Sequence, residues 1–386
     1  MVNQFLSLKR WLAALMLLVG GSLVGATGGV QARPMASWAI VSSPNVSGRD
    51  NALSSVAVVS ATDVWAVGNV GNSNGRRTLT QHWNGSTWSL VSSPNGPGTS
   101  SYLVGVTALS ANNVWAVGFS GNSTQSQTLI ERWNGARWRV APSPNATGSS
   151  LLYAVDAVSP NNIWAVGQSL TETAGQVLIE HWDGTAWSIV PGPVTGEFAV
   201  LYGVTAIAAN NVWAVGAHTV GGVQETLTLR YDGVSWAEVD SPNIGANTQA
   251  LLSVSATSAA DVWAVGYHLE LIGTEQIART SVLHWTGSAW SVVSSPNGSQ
   301  RNNYLYGVTA VSPTDAWAVG LYGTGSSLLT LTQHWDGSSW SIVGSPNAST
   351  LLNGLFGVAA VSSTDVWAVG QALGSTTFLT LIERYQ

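Results

Sequence analysis

The chain contains no cysteine. That excludes disulfides, thiolate metal sites, a cysteine nucleophile and a lipid-modified N-terminal cysteine. It has a single lysine, Lys9, and only 8% of its 386 residues are charged. Acidic residues outnumber basic ones, 19 to 13, so a polyanionic nucleic acid is an unsuitable partner. No Gly-rich phosphate loop, HExxH or GxSxG occurs. No segment shows a helical period, and only one apolar run reaches membrane length. What the chain does have is 20 tryptophans and 42 glycines. A disordered chain would be poor in aromatics and rich in charge, so this one folds. Its Gly, Ser, Thr, Val and Trp favour strands and tight turns.

The one apolar run is residues 11–30, "WLAALMLLVGGSLVGATGGV", preceded by Lys9 and Arg10. It leads into Val30-Gln31-Ala32, with small residues three and one positions before the expected cut. This is the build of a secretory signal peptide over 1–32. The run is just long enough to span a bilayer, so an uncleaved anchor is the alternative. The glycines and the Val-x-Ala ending favour cleavage, which leaves no stable membrane anchor. Cleavage would leave 11 of the 13 basic residues against 19 acids, a charge of −8.

"DVWAVG" at 63–68 returns six times in near-identical form, with its tryptophan at Trp65, Trp115, Trp164, Trp213, Trp263, Trp317 and Trp367. The spacings are 50, 49, 49, 50, 54 and 50. A period near 50 marks a repeat architecture. Each repeat reads as four strands, a to d. In the sixth these are 305–312, 316–322, 328–335 and 338–345. An Asp-Gly or Asn-Gly pair joins c to d in most copies, the strongest short-range hairpin signal. Four strands per 50 residues predict an all-β, seven-bladed β-propeller with four-stranded blades.

The last copy ends at strand c, "LTLIERYQ". The segment "ASWAIVSSPN" at 36–45 is a strand d with nothing before it, matching "STWSLVSSPN" at 86–95. The N-terminal strand is therefore expected to complete the last blade, closing the ring and removing an exposed edge. Residues 36–386 read as one propeller domain, expected to be a monomer.

Aromatic residues recur at three template positions: in strand b, at the end of c and in d. The c and d aromatics are five residues apart, so a cross-strand pair would pin the register. A ring of sugar-stacking platforms is the functional reading of these residues. The structural reading, packing between blades, is favoured, because each ring can bury enough area for roughly 4–6 kcal/mol gross. Two polar columns accompany them. Asp63, Asn113, Asn162, Asn211, Asp261, Asp315 and Asp365 precede strand b. His82, Arg132, His181, Arg230, His284, His334 and Arg384 precede the strand c aromatic. The antiparallel pairing of b and c brings these columns together, so an Asx oxygen would accept from the His or Arg. Seven equivalent metal or catalytic sites are the less economical alternative.

Loops a–b and c–d leave one face of the disc and hardly vary. Loops b–c and d–a leave the other and vary greatly. Varied loops on a rigid scaffold are where binding concentrates. The span from the strand b Trp to the strand c aromatic is 18 residues in six copies and 22 in the fifth. That longer hairpin carries Tyr267, His268, Glu270, Glu275 and Arg279. Tyr153, Tyr202, Tyr306 and Phe356 lie near the start of strand a, at the channel mouth, with Tyr102 and Tyr304 slightly earlier. Phe119 and Tyr322 lie beyond strand b on the same face. These aromatics would either stack on a sugar or plug the channel.

The pattern D-V-W-A-V-G…H-W-D/N-G-x-x-W-S-x-V-x-S-P-N resembles secreted bacterial propellers of the kelch/galactose-oxidase-like kind over nearly all of 36–386. The c–d turn is similar to a shortened Asp-box, although "DGSSW" lacks the residue between Asp and Gly. Galactose-oxidase chemistry would imply a Tyr–Cys cofactor, which a chain without cysteine cannot form, and no cofactor or metal is expected. A sialidase-like site would imply clustered arginines, whereas Arg49, Arg76, Arg77, Arg137, Arg139, Arg279 and Arg301 are scattered. The residues favour a secreted, non-catalytic binding propeller for a polysaccharide or a protein ligand of the cell envelope. The alternative is a glycoside hydrolase or lyase using loop acids such as Glu172, Glu197, Glu225, Glu270 and Glu275, which would have to face each other across a cleft.

Overall fold

The structure, a computed structural model, describes residues 36–193, 195–245 and 247–386. The apolar run at 11–30 and the expected cut after Ala32 lie outside the described residues. Among the described residues, 28 strands form seven four-stranded antiparallel sheets and there is no helix, hence none long and apolar enough to cross a membrane. The chain is a seven-bladed β-propeller.

The sixth blade is built from Asn303–Ser312, Asp315–Gly323, Leu328–Trp335 and Trp340–Ile342, paired in the order a-b-c-d. Strand d is shorter than its sequence suggests. Asp336 Oδ1 accepts the N–H groups of Ser338 and Ser339, both at 2.8 Å, which makes those residues part of an Asx turn. At the far end the chain turns off through Ser-Pro-Asn. Pro346 has no N–H to continue a ladder, and the Asn347 side chain instead accepts the strand c Thr330 N–H at 2.9 Å.

The glycine of each "WAVG" follows from the strand beside it. Strand a carries a bulge at the same place in every blade, for example between Leu53 and Ser55 and between Leu152 and Ala154. A Cβ on Gly68, Gly167 or Gly320 would overlap the carbonyl oxygen of Ala52, Leu151 or Tyr304 on that strand. The bulge also turns one extra residue of each blade toward the axis. Those residues are Ser54, Val104, Tyr153, Tyr202, Leu252, Tyr306 and Phe356, all of which line the central channel.

The ring closes as the sequence implies. Trp38–Ile40 pairs with Phe378–Tyr385 in the register Trp38↔Tyr385, Ala39↔Arg384, Ile40↔Glu383. The clasp extends beyond the strand. Val41 N–H donates to Ile382 O at 2.8 Å, and Asn45 Oδ1 accepts from Thr380 N–H at 2.8 Å. That second bond repeats the Asn347–Thr330 contact with partners from opposite ends of the chain.

The tryptophans join blade to blade. Every strand b Trp is almost wholly buried, and it meets the strand d Trp of the next blade edge-on. The centroid separations are 5.2–5.6 Å, as in Trp65–Trp138 and Trp317–Trp38. It also lies 4.5–5.1 Å from that blade's strand c aromatic. Within a blade the c and d aromatics are direct register partners, as in Trp83↔Trp88. The other side of the strand b ring is covered by its own blade's His or Arg. His284 stacks on Trp263 at 3.9 Å, and the Arg384 guanidinium sits 4.5 Å from the Trp367 ring. Each of these cations or imidazoles is in turn held by the Asx before strand b, from His82–Asp63 at 2.8 Å to Arg384–Asp365 at 2.7 Å. The two polar columns are thus the lid of a structural sandwich, one per blade.

Candidate functional site

With the a–b and c–d turns occupied by this sandwich, the opposite face carries the differences between blades. The bulge residues make its centre. Tyr153 and Phe356 are buried, and Tyr202 and Tyr306 are half-buried. The rings touch one another: Tyr153–Tyr202 at 5.7 Å and Tyr306–Phe356 at 5.4 Å. The Tyr153 hydroxyl accepts from Gln168 Nε2 at 2.8 Å. Burial raises the pKa of Tyr153 and pushes those of Tyr202 and Tyr306 well above the usual phenol value. These four aromatics form a plug in the channel.

Past the plug the channel holds a cavity of about 270 Å³ with seryl and threonyl hydroxyls in its wall. Asp156 is the one ionisable carboxyl lining it. Its oxygens accept the N–H groups of Ala157 and Ala206, both at 2.8 Å, and the Thr107 hydroxyl at 3.3 Å. Burial raises its pKa against the pull of those bonds. Its bond to Ala206 bridges blades 3 and 4. The Ser255 hydroxyl makes the same bridge between blades 5 and 6 by accepting from Ala310 N–H at 3.0 Å. Asp156 is a brace in this structure.

The fifth hairpin does stand longer than its neighbours: its strands are Asp261–Ile272 and Glu275–Trp285, joined through Gly273 at φ 64°. Its ionisable groups divide into two sets. Arg279 is buried, bonded to Glu270 Oε2 at 2.8 Å and to the Ser299 carbonyl at 3.2 Å. His268 Nδ1 contacts the Ser281 hydroxyl at 3.0 Å, and burial lowers its pKa. Tyr267 faces the plug, 5.1 Å from Tyr304, with its pKa pushed up to about 12 by burial. What the tip presents to solvent is Glu270, Glu275, Leu271 and Ile272, the last two 59% and 44% exposed. Glu275 lies 3.9 Å from the equally exposed Arg301.

Tyr322 is not part of the mouth. Its ring packs between blades 5 and 6, where a Cβ on Gly298 would strike it. Phe119 is buried, stacked at 4.9 Å on the half-buried Tyr102. This pair floors a feature that sequence reasoning did not single out: an open groove of about 860 Å³ between blades 2 and 3. Leu151 and Leu170 complete its apolar floor, and Gln125, Ser126, Thr171 and Glu172 are among its polar walls. The polar loop "GNSTQSQ" after Phe119 was the available signal. Which loops flank a trough, however, depends on how neighbouring blades meet.

The loop acids are dispersed over the face. Glu172 lines the groove, Glu225 accepts from Asn243 Nδ2 at 3.0 Å, and Glu270 and Glu275 face the two hairpin-side arginines.

A scan against protein-family models finds no match, and neither does a search of curated proteins. Solved structures do match. YCF48 bound to D1 peptide superposes with a TM-score of 0.57 at 13% identity, over 92% of this chain and 99% of that one. A PL25 ulvan lyase bound to GlcA(1-4)Rha3S gives 0.53 at 9% identity, over 86% and 93%. Chaetomium thermophilum Sqt1, bound to the N-terminus of ribosomal protein L10, gives 0.50 at 13% identity, over 83% and 82%. At these identities the likeness is one of fold.

Proposed function

We propose that this propeller is a non-catalytic binding module, exported after cleavage near Ala32, that recognises a polysaccharide or protein ligand of the cell envelope through its b–c/d–a face. One observation carries the reading. The sandwich recurs in all seven blades with Asp/Asn, His/Arg and Trp/Tyr exchanges, while hairpin length and open volume differ from blade to blade on the other face. A rigid frame with one individualised face is the arrangement expected of a binding surface. Peptide-bound neighbours with this fold are compatible with it.

An enzyme reading draws on the lyase neighbour. Read as a glycoside hydrolase it would need two carboxyls across one cleft, and the groove has a single Glu in its wall. The test is a binding screen of residues 33–386 against envelope polysaccharides and envelope protein fractions, followed by shortening the fifth hairpin by four residues. Ligand capture that weakens on changes to the variable face supports the reading. Capture indifferent to every such change, or catalytic turnover of the captured glycan, overturns it. Intact-mass analysis of exported protein should show a start at or near Arg33, and retention of Met1 would point to an anchor.

A further inference from the structure

We propose that the groove between blades 2 and 3 is a subsite for an uncharged oligosaccharide. The inference rests on the reading of the variable face as a binding surface and names the ligand class.

The volume, about 860 Å³, falls within the roughly 300–1,000 Å³ common for small-ligand sites. Its position has a cause. At three other junctions neighbouring blades meet directly. Phe198 bridges to Gly175 between blades 3 and 4, and Leu328 to Leu352 between blades 6 and 7. Tyr322 against Gly298 fills the junction of blades 5 and 6. Between blades 2 and 3 the Gln125 amide reaches across to the Gly148 carbonyl at 3.5 Å, and the trough beside it stays open. Mostly short polar residues line that gap, and Tyr102 on Phe119 forms its floor.

The walls are fixed before any ligand arrives. Asn122 Oδ1 accepts the N–H groups of Thr124 and Gln125, both at 3.0 Å, and the Thr124 hydroxyl at 2.8 Å. The facing wall is joined to it by Ser126 N–H donating to the Ser149 hydroxyl at 3.1 Å. Thr171 N–H closes the neighbouring turn on Ala174 O at 2.9 Å. A pre-set wall lowers the ordering cost of binding.

Charge and chemistry then select among ligands. No Lys or Arg lines the groove, and Glu172 is its one carboxyl. A sulfated or uronate polymer would meet a carboxylate and no counter-charge, which disfavours it. An extended peptide gains affinity mainly by adding to an open sheet edge, and here both walls are closed hairpin turns. A neutral pyranose has an apolar C–H face for the Tyr102–Phe119 floor. Its ring hydroxyls suit the amide and hydroxyl groups of the walls, and Glu172 can accept from a sugar hydroxyl.

The experiment is calorimetric titration of residues 33–386 with three probe sets: neutral β-linked gluco-, manno- and xylo-oligosaccharides, oligouronates or sulfated oligosaccharides, and uncharged extended peptides. A neutral oligosaccharide should bind with little dependence on salt. Tyr102→Ala should weaken it roughly 2- to 13-fold, the range one aromatic contact contributes, while Tyr102→Phe retains it. Shortening the fifth hairpin should leave this binding within about 2-fold, since additivity holds for distant sites. Thermal melts of Tyr102→Ala check its folding, and the Ser126→Tyr variant, which fills the trough without removing the floor, gives an independent loss of binding. Failure of every neutral oligosaccharide to bind overturns the inference. So does groove-dependent binding of a peptide or an anionic glycan. A ligand lost on hairpin trimming but untouched by Tyr102→Ala and Ser126→Tyr sinks the groove and leaves the binding face standing.

Discussion

The two ends of each blade are made by the same repeat and behave differently. At the a–b/c–d end, seven copies place an indole against the next blade's Trp on one side and an Asx-held His or Arg on the other. At the b–c/d–a end, the same strands run on into hairpins that differ in length, charge and aromatic content. The first end has little freedom because each strand b indole has partners in two blades. The second is free because its hairpins close on themselves through their own turns, as Asn122 does with Thr124 and Gln125. Stability concentrated at one end is what allows variety at the other.

The sharpest way to break this comparison is to open the ring. Residues 46–386 lack Trp38 and Asn45, and so leave Trp317, Tyr385 and Thr380 without their partners. This protein should aggregate or lose its cooperative melting transition, whereas 33–386 retains it. Equal melting curves for the two would show that closure is dispensable. Next in size is a single sandwich. Trp367→Ala removes a fully buried ring that contacts Trp83, Trp88 and Arg384, and should cost about 3–5 kcal/mol in denaturant melts. Tyr102→Phe on the other end should leave those melts almost unchanged.

A third test uses pH and the junctions between blades. Gln81 and Gln333 donate to the carbonyls of Pro44 and Pro296 in the preceding blade's loop, at 2.9 and 2.8 Å. At the same template position stand Glu131, Glu180 and Glu383, buried and with pKa values raised to about 8 by desolvation. A protonated carboxyl can donate as an amide does, and a carboxylate cannot. Below about 4.5 both folded and unfolded chains carry these protons. Between about 4.5 and 8 the folded state alone keeps them, so stability falls as pH rises through that window, by at most about 1.4 kcal/mol per pH unit for each group. The triple variant Glu131→Gln/Glu180→Gln/Glu383→Gln should melt with a flatter pH profile and outlast the parent above pH 8. An unchanged slope would show that these carboxyls are not the titrating groups. The smallest effect belongs to the fifth hairpin. Removing four residues at its tip takes away exposed Leu271 and Ile272 and should move the melting temperature by no more than a degree or two. A larger drop would place the tip in the frame.

The sequence alone settled the repeat, the strand count, the closing strand and the pairing of the Asx and His/Arg columns. These follow from spacings along one chain segment, where the 50-residue period, the Asp-Gly turns and the five-residue c–d aromatic interval leave one register open. The candidate site was legible only in part. Phe119 and the fifth hairpin stood out, but their partners did not. The bulge in strand a, which turns Tyr153, Tyr202, Tyr306 and Phe356 into a plug, comes from how strand a meets strand b's glycine. Arg279 is a wall tie because Ser299, on the far side of its own blade's strand d, reaches it. Tyr322 packs against the core between blades 5 and 6 because Gly298 leaves room for its ring. The groove depends on how blades 2 and 3 meet, with Gln125 and Ser126 reaching Gly148 and Ser149 across it. Only tertiary structure decides such matters, since the surfaces that meet between blades lie about 50 residues apart in the chain.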